Sequence, residues 1–213
     1  MNNSSVFSII KNTGGKYSFT DFPEICYIDT SFINELHGYP EDKYLPLVCQ
    51  DFIKEALKHN TILLTSGAVS GELYHLIRMK YIKHKTKNPE MNIKMVENYI
   101  DKNPSVNKEI IQEIDRAMQS IKQFFTYGEY IHNQVVDKMI LKAMDSYNLN
   151  STDAKHVIVS LSNYSNSIAT IDSDYIKTDN FNIYTPTKTA IKNSIGRPNI
   201  YLPYNDTYID GFK

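Results

Sequence analysis

The chain has 213 residues and a mass of 24.6 kDa, enough for one medium domain with a core of its own. Hydrophobic residues make up 41% and charged residues 22%, as in ordinary globular proteins. The formal net charge of −1 excludes a global basic field, so a nucleic-acid partner has to be held by a local patch or through a metal. The two cysteines, Cys26 and Cys49, fall in segments that read as a buried strand and a helix. They make no disulfide framework, and the expectation is a reducing, cytoplasmic setting. The sequence suggests no signal peptide and no membrane: no apolar run approaches the roughly 20 residues needed to cross a bilayer.

In chain order, residues 1–22, rich in Asn, Ser and Gly, read as a loose N-terminal extension. A short apolar, β-branched run at 24–29 predicts a buried strand, followed by helices over 31–37 and 43–59, with the breakers Gly38 and Pro40 between them. A second strand is expected over 61–65. Ser66 is placed to cap a helix running to about residue 85, with Val69, Leu73, Leu76, Ile77 and Tyr81 as its apolar stripe. Residues 89–127 read as polar and helical, interrupted at Asn103-Pro104. An amphipathic helix is predicted over 130–147 with Val135, Val136, Met139, Ile140, Ala143 and Met144 facing inward, then a helix capped by Ser151. Strands at 167–171 and 182–185, with a turn helix near Tyr175 between them, complete the pattern. Strands that alternate with helices, without hairpin signals, predict a parallel α/β topology. The organisation expected is an extension (1–22), a core domain (23–186) carrying an extended helical insertion (about 88–128), and a tail (187–213) rich in Asn, Pro and Tyr, including Tyr201, Tyr204 and Tyr208.

Four acids stand at hydrophobic-to-polar junctions: Asp29 after Ile28, Glu72 after the 61–65 strand, Asp153 at a helix start and Asp172 after Ile171. A parallel sheet gathers functional residues at the carboxyl ends of its strands. Carboxylates gathered there repel one another unless a hard divalent cation such as Mg²⁺ or Mn²⁺ neutralises them. Each acid also has a bland explanation. Asp favours turns, and an acid in a first helical turn suits the helix dipole. Glu72, however, is the only carboxylate in its predicted helix and lies beside the apolar stripe, where it needs a partner. Asp172 is nearer its strand end than Asp174, so Asp174 is read as an auxiliary ligand. Ser31 and Thr170 are placed to orient carboxylates by hydrogen bonds. The histidines, His156 among them, share no zinc-ligand spacing with cysteine and read as surface or packing residues. The basic run holding Lys80, Tyr81, Lys83, Lys85 and Lys87 is either a solvated helix end or an RNA-contacting edge with Tyr81 available for stacking.

The segments Ile28-Asp29-Thr30-Ser31, Ser66-Gly67-Ala68-Val69-Ser70-Gly71-Glu72-Leu73, Thr152-Asp153-Ala154-Lys155-His156 and Thr170-Ile171-Asp172-Ser173-Asp174-Tyr175 together resemble the PIN-domain ribonucleases, in that family's order. The resemblance runs from about residue 24 to 185, with Gly67 where family members often have Pro. It implies a PIN-like three-layer sandwich with a central, mostly parallel β-sheet flanked by helices. It also implies a Mg²⁺- or Mn²⁺-dependent endoribonuclease acting on single-stranded RNA, with Asp29, Glu72, Asp153 and Asp172 as the site. The further expectations it raises are a toxin role with an antitoxin protein as partner, and a homodimer. The additions at both ends and in the middle depart from the compact toxins. A catalytically silent PIN-fold module that binds RNA or protein is the alternative. A haloacid-dehalogenase-like phosphatase ranks last, because it needs a second Asp two positions after Asp29 and Ser31 stands there.

Overall fold

The computed structural model describes residues 5–9, 17, 19, 21–37, 44–128 and 132–187; the predicted breakers Gly38 and Pro40 and the tail from residue 188 lie outside them. The six strands described are β1 (Ser5–Ser8), β2 (Ile25–Ile28), β3 (Ile62–Ser66), β4 (Thr126–Gly128), β5 (Ser167–Ala169) and β6 (Asn182–Thr185). They form one sheet in the order β1-β6-β5-β2-β3-β4, and every pair is parallel. Seven helices accompany them: α1 (Thr30–His37), α2 (Tyr44–Lys58), α3 (Gly67–Thr86), α4 (Ile93–Lys102), α5 (Ser105–Phe124), α6 (Gln134–Tyr147) and α7 (Ser151–Ser162), with a 3₁₀ turn at Asp174–Lys177. This is an α/β fold.

Consecutive residues of β2, β5 and β6 are buried, so both faces of the sheet centre are covered, as an all-parallel sheet requires. From β2 the chain builds outward through β3 and β4. It then returns to β2's other side with β5 and continues to β6, against whose outer edge the N-terminal β1 pairs. The switch point therefore lies between β2 and β5, where open α/β sheets bind their ligands. Asp29 N–H extends this seam by donating to the Ala169 carbonyl at 3.0 Å.

The helices expected over 89–127 are present as α4 and α5, but both sheet edges differ from expectation. The supposedly loose extension supplies β1, whose four residues pair in register with β6, while Ile9 beyond it is buried in the main core. The helical insertion is no simple appendage either. Its residues Thr126–Gly128 form β4 against β3, and Ala117, Met118, Ile121 and Phe125 belong to the main core. The rest of α4 and α5 packs on α3 around a small separate core of Ile82, Met91, Val96, Ile100, Val106 and Ile110. The break at Asn103-Pro104 falls where expected.

Helix starts were set by asparagines that the pattern did not single out. Asn133 accepts from Val135 and Val136 N–H at 2.9 and 3.0 Å and opens α6, later than the expected residue 130. Val135 consequently lies at an exposed position instead of facing inward. Asn150, not Ser151, caps α7, accepting from Thr152 and Asp153 N–H at 2.9 Å each. Ser66 does precede α3 in extended conformation, but its hydroxyl makes no cap bond and goes to Tyr27 instead. Both cysteines are buried and free; burial pushes the Cys49 thiol up to about 12 and Cys26 further still. They are inert core residues. Among the described residues no helix is long and apolar enough to cross a membrane.

Replacing Ile9 by Ala tests the strand assignment at the N-terminal edge. Truncating this fully buried side chain lowers stability by about 2–3 kcal/mol in urea unfolding. A loose extension leaves the transition unchanged.

Candidate active site

β2 ends at Ile28, and the next residue, Asp29, stands at the carboxyl edge of the sheet with only 4% of its surface exposed. A buried carboxylate needs donors. Its Oδ2 accepts from the Ser31 hydroxyl at 2.5 Å and the Thr170 hydroxyl at 2.9 Å, and its Oδ1 from the Tyr175 hydroxyl at 3.2 Å. Three elements thus converge on it: the start of α1, the end of β5 and the 3₁₀ turn. Thr170 Oγ1 in turn accepts the Asp172 N–H at 2.9 Å, which fixes the backbone that presents Asp172 to the cleft.

Glu72 stands in the second turn of α3, across from α1. The Thr30 hydroxyl donates to its Oε2 at 2.5 Å, and His156 Nε2 lies 2.8 Å from the same oxygen. Burial alone raises the Glu72 carboxyl, but the hydrogen bonds from His156 and Thr30 outweigh it and hold the group below the usual carboxylate range. His156 is 1% exposed on α7, so it is no surface residue, and it does more than pack. Its Nδ1 lies 2.9 Å from the Tyr27 hydroxyl, which in turn lies 2.9 Å from Ser66 Oγ. Its Nε2 is also 3.6 Å from Asp29 Oδ1. Burial disfavours the imidazolium, yet the Glu72 bond and the charges of Asp29, Glu72 and Asp153 raise His156 above its ordinary value. As an imidazolium it donates from both ring nitrogens, to Glu72 and to Tyr27.

Asp153 occupies the first turn of α7, where the Asn150 amide donates to its Oδ2 at 2.6 Å. Burial, followed by the negative charges of Asp172 and Asp29, pushes the Asp153 carboxyl up to about 7. Asp172 is raised in the same direction, chiefly by burial and by the charges of Asp174 and Asp29.

Asp29, Glu72, Asp153 and Asp172 all line one cleft of about 860 Å³, together with Thr30, Ser31, Asn150, Thr152, His75 and Lys155. Asp174 is not part of that lining. Its carboxylate pairs with Lys177 at 2.8 Å, and its N–H donates to Asp172 Oδ1 at 2.8 Å and braces that residue. Nor does the Lys80, Tyr81, Lys83, Lys85 and Lys87 run border the cleft. Lys85 and the Tyr81 hydroxyl are both bound to Glu109 of α5, and Lys80 faces Glu35 at 4.0 Å, so these residues tie α3 to its neighbours.

Among the described residues no group of three or more His, Cys, Asp or Glu side chains is drawn together closely enough to form a ready metal cage. The chemistry of the donors nevertheless suits a hard cation. The carboxylates come from separate elements and share an open cleft, and two of them have raised pKa values, through burial first and then the negative charge gathered around them.

Sequence comparison adds no family: no protein-family model matches the chain, and no curated protein matches it.

The sequence did not single out Thr30, Tyr175 and Asn150, which hold Glu72, Asp29 and Asp153, nor above all His156. Its signal is its place three residues after Asp153, on the same face of a helix whose following residues are apolar.

The raised Asp153 carboxyl makes stability depend on pH. Its folded value, about 7, exceeds its ordinary 3.8, so its contribution is fully present below pH 3.8 and is lost as pH rises through 7. Replacing Asp153 by Asn removes that loss. The variant, without divalent cation, is more stable than the parent at pH 8 by about 1–2 kcal/mol, a figure reduced for water screening in the open cleft. The gain shrinks toward zero as pH approaches 4. A gain equal at both pH values means that ionisation of the buried carboxyl is not its source.

Proposed function

We propose that this protein is a Mg²⁺- or Mn²⁺-dependent nuclease that hydrolyses phosphodiester bonds of single-stranded RNA on a PIN-like fold. The observation that carries the reading is the meeting of Asp29, Glu72, Asp153 and Asp172 in one cleft beside the switch point of an all-parallel sheet. RNA rather than DNA comes from the resemblance of the four motifs, since carboxylates alone serve either.

Asp29, Asp153 and Asp172 are the residues to hold the cation, with Glu72 completing the set. When bound, the cation supplies a Lewis acid that favours ionisation of water and neutralises charge on the phosphate. The remaining work belongs to the chain. Ser31, Thr170 and Tyr175 fix Asp29 and spare it the cost of reorganising on binding. His156 keeps Glu72 ionised, so its carboxylate can accept a hydrogen bond from a water approaching the phosphorus. Asp153 exchanges its proton near neutral pH, and bringing a positive charge beside it favours the ionised form. No side chain is needed as a covalent nucleophile.

One observation favours the catalytically silent alternative: the acids form no ready three-donor group, and Asp29 is already engaged by three hydroxyls. Mutation and chelation separate the two readings. In an assay with labelled single-stranded RNA and Mn²⁺, Asp29→Asn keeps the fold and loses most of the cleavage, because an amide is a poor ligand for a hard cation. Ser31→Ala reduces cleavage roughly 10–100-fold by freeing the Asp29 carboxylate. EDTA abolishes the activity of the parent protein. Cleavage that survives both Asp29→Asn and EDTA overturns the proposal, and no cleavage by the parent under any divalent cation leaves the silent module.

A further inference from the structure

A second cleft, of about 670 Å³, opens where α3 diverges from the α4–α5 hairpin. Its walls are Tyr74, His75 and Arg78 on α3, facing Asp101 and Pro104 at the end of α4 and Asn107 on α5. His75 lines this cleft and the carboxylate cleft alike, so the two adjoin along α3. Arg78 is six residues beyond Glu72, an axial rise of about 9 Å.

Arg78 is the informative residue. Its Nε is buried and finds no hydrogen-bond partner among the described residues, although Asp101 lines the same cleft. A guanidinium N–H shut away from both water and protein acceptors is costly, and folded proteins rarely leave one so. A guanidinium offers a planar fork of donors that matches a phosphate bidentately. One turn before it on α3, Tyr74 is 42% exposed, an aromatic side chain in the same cleft as the guanidinium. Phosphate-binding donors next to an exposed ring are what a single-stranded polynucleotide requires, since each nucleotide carries both a charge and a stacking face.

We propose that this second cleft is a subsite for a phosphodiester of the strand flanking the one being cleaved. Arg78 takes the phosphate, His75 lies between the two clefts and Tyr74 offers a base its face. This inference rests on the nuclease reading for its choice of ligand. It relocates the strand's path from the Lys80–Lys87 run, part of which is occupied in holding α5, to the groove that the helical hairpin creates.

The test uses the full-length protein and two fluorescent single strands of one sequence, RNA and DNA. Their binding is measured by anisotropy over a salt series in EDTA. A parallel measurement follows Mn²⁺-dependent hydrolysis of the RNA and of bis(p-nitrophenyl) phosphate, a diester too small to reach the second cleft. Arg78→Gln weakens RNA binding about ten-fold and flattens the slope of log Kd against log salt by roughly 0.7, the contribution of one phosphate on a single strand. Arg78→Lys keeps the slope while losing part of the affinity, because the charge remains and the fork does not. Asn107→Asp, an exposed change on the opposite wall that puts no folding at risk, also weakens binding. Hydrolysis of the small diester stays at the parent rate in all three. An equal loss with DNA supports recognition of phosphate alone, and a larger loss with RNA adds the 2′-hydroxyl. Unchanged Kd and slope in both Arg78→Gln and Asn107→Asp overturn the subsite, even if the parent protein cleaves RNA. A parent that binds RNA through Arg78 but hydrolyses neither substrate keeps the subsite and sinks the nuclease reading. Absence of binding to either strand by the parent overturns the subsite.

Discussion

Placing several carboxylates at one end of a parallel sheet sets their mutual repulsion against the stability of the fold, and the surrounding structure is arranged to contain it. Asp29 is caged by hydroxyls from three elements. Glu72 is held by a buried imidazole whose other nitrogen is anchored through Tyr27 to Ser66. That chain of contacts links β2, the end of β3, α3 and α7, so the elements around the cleft are joined by the same bonds that hold the charge. Asp153 and Asp172 have one donor each, the Asn150 amide and the Asp174 N–H, and burial together with the neighbouring charges leaves their pKa values raised. A buried polar network of this kind is stable only when each member has its partner.

The acidic set and the core strands were legible because their signals are local. A short β-branched run ending in Asp, or an acid opening an apolar helix, reads the same way in isolation as in the folded chain. What escaped depends on distant partners. Ser5–Ser8 has no periodicity of its own and becomes a strand through β6, while Thr126–Gly128 is three residues long and is defined by β3. His156 looked ordinary because its role comes from Glu72 and Tyr27, which lie far away in sequence. The basic run on α3 left two readings open for a related reason: its charge was plain, but Glu109, the acid that engages Lys85 and Tyr81, belongs to a different helix.

α3 has an unusual share of the structure. Up to Ile77 it carries Glu72 and contributes Val69, Leu73 and Ile77 to the main core, while beyond that it carries Ile82 into the small core of the hairpin. Ile114 on α5 touches both cores. The hairpin is therefore placed by the same helix that presents a cleft carboxylate, and a shift of one moves the other. With two cores sharing a single rigid element, the groove between them is defined by packing and not by loop conformation.

The pairing of β1 with β6 brings nearly the two ends of the described chain side by side. During synthesis the β6 strand emerges long after β1, and until then the first strand has no neighbour to bond. The cleft follows the same order, since Asp29 waits for Thr170 and Tyr175 to cage it and for Asp172 to join it. A fold whose early and late segments complete one another is slow to close, because the whole intervening loop must be ordered first. The acidic edge is therefore among the last parts of the fold to be completed, because Thr170, Asp172 and Tyr175 all stand in the segment made late.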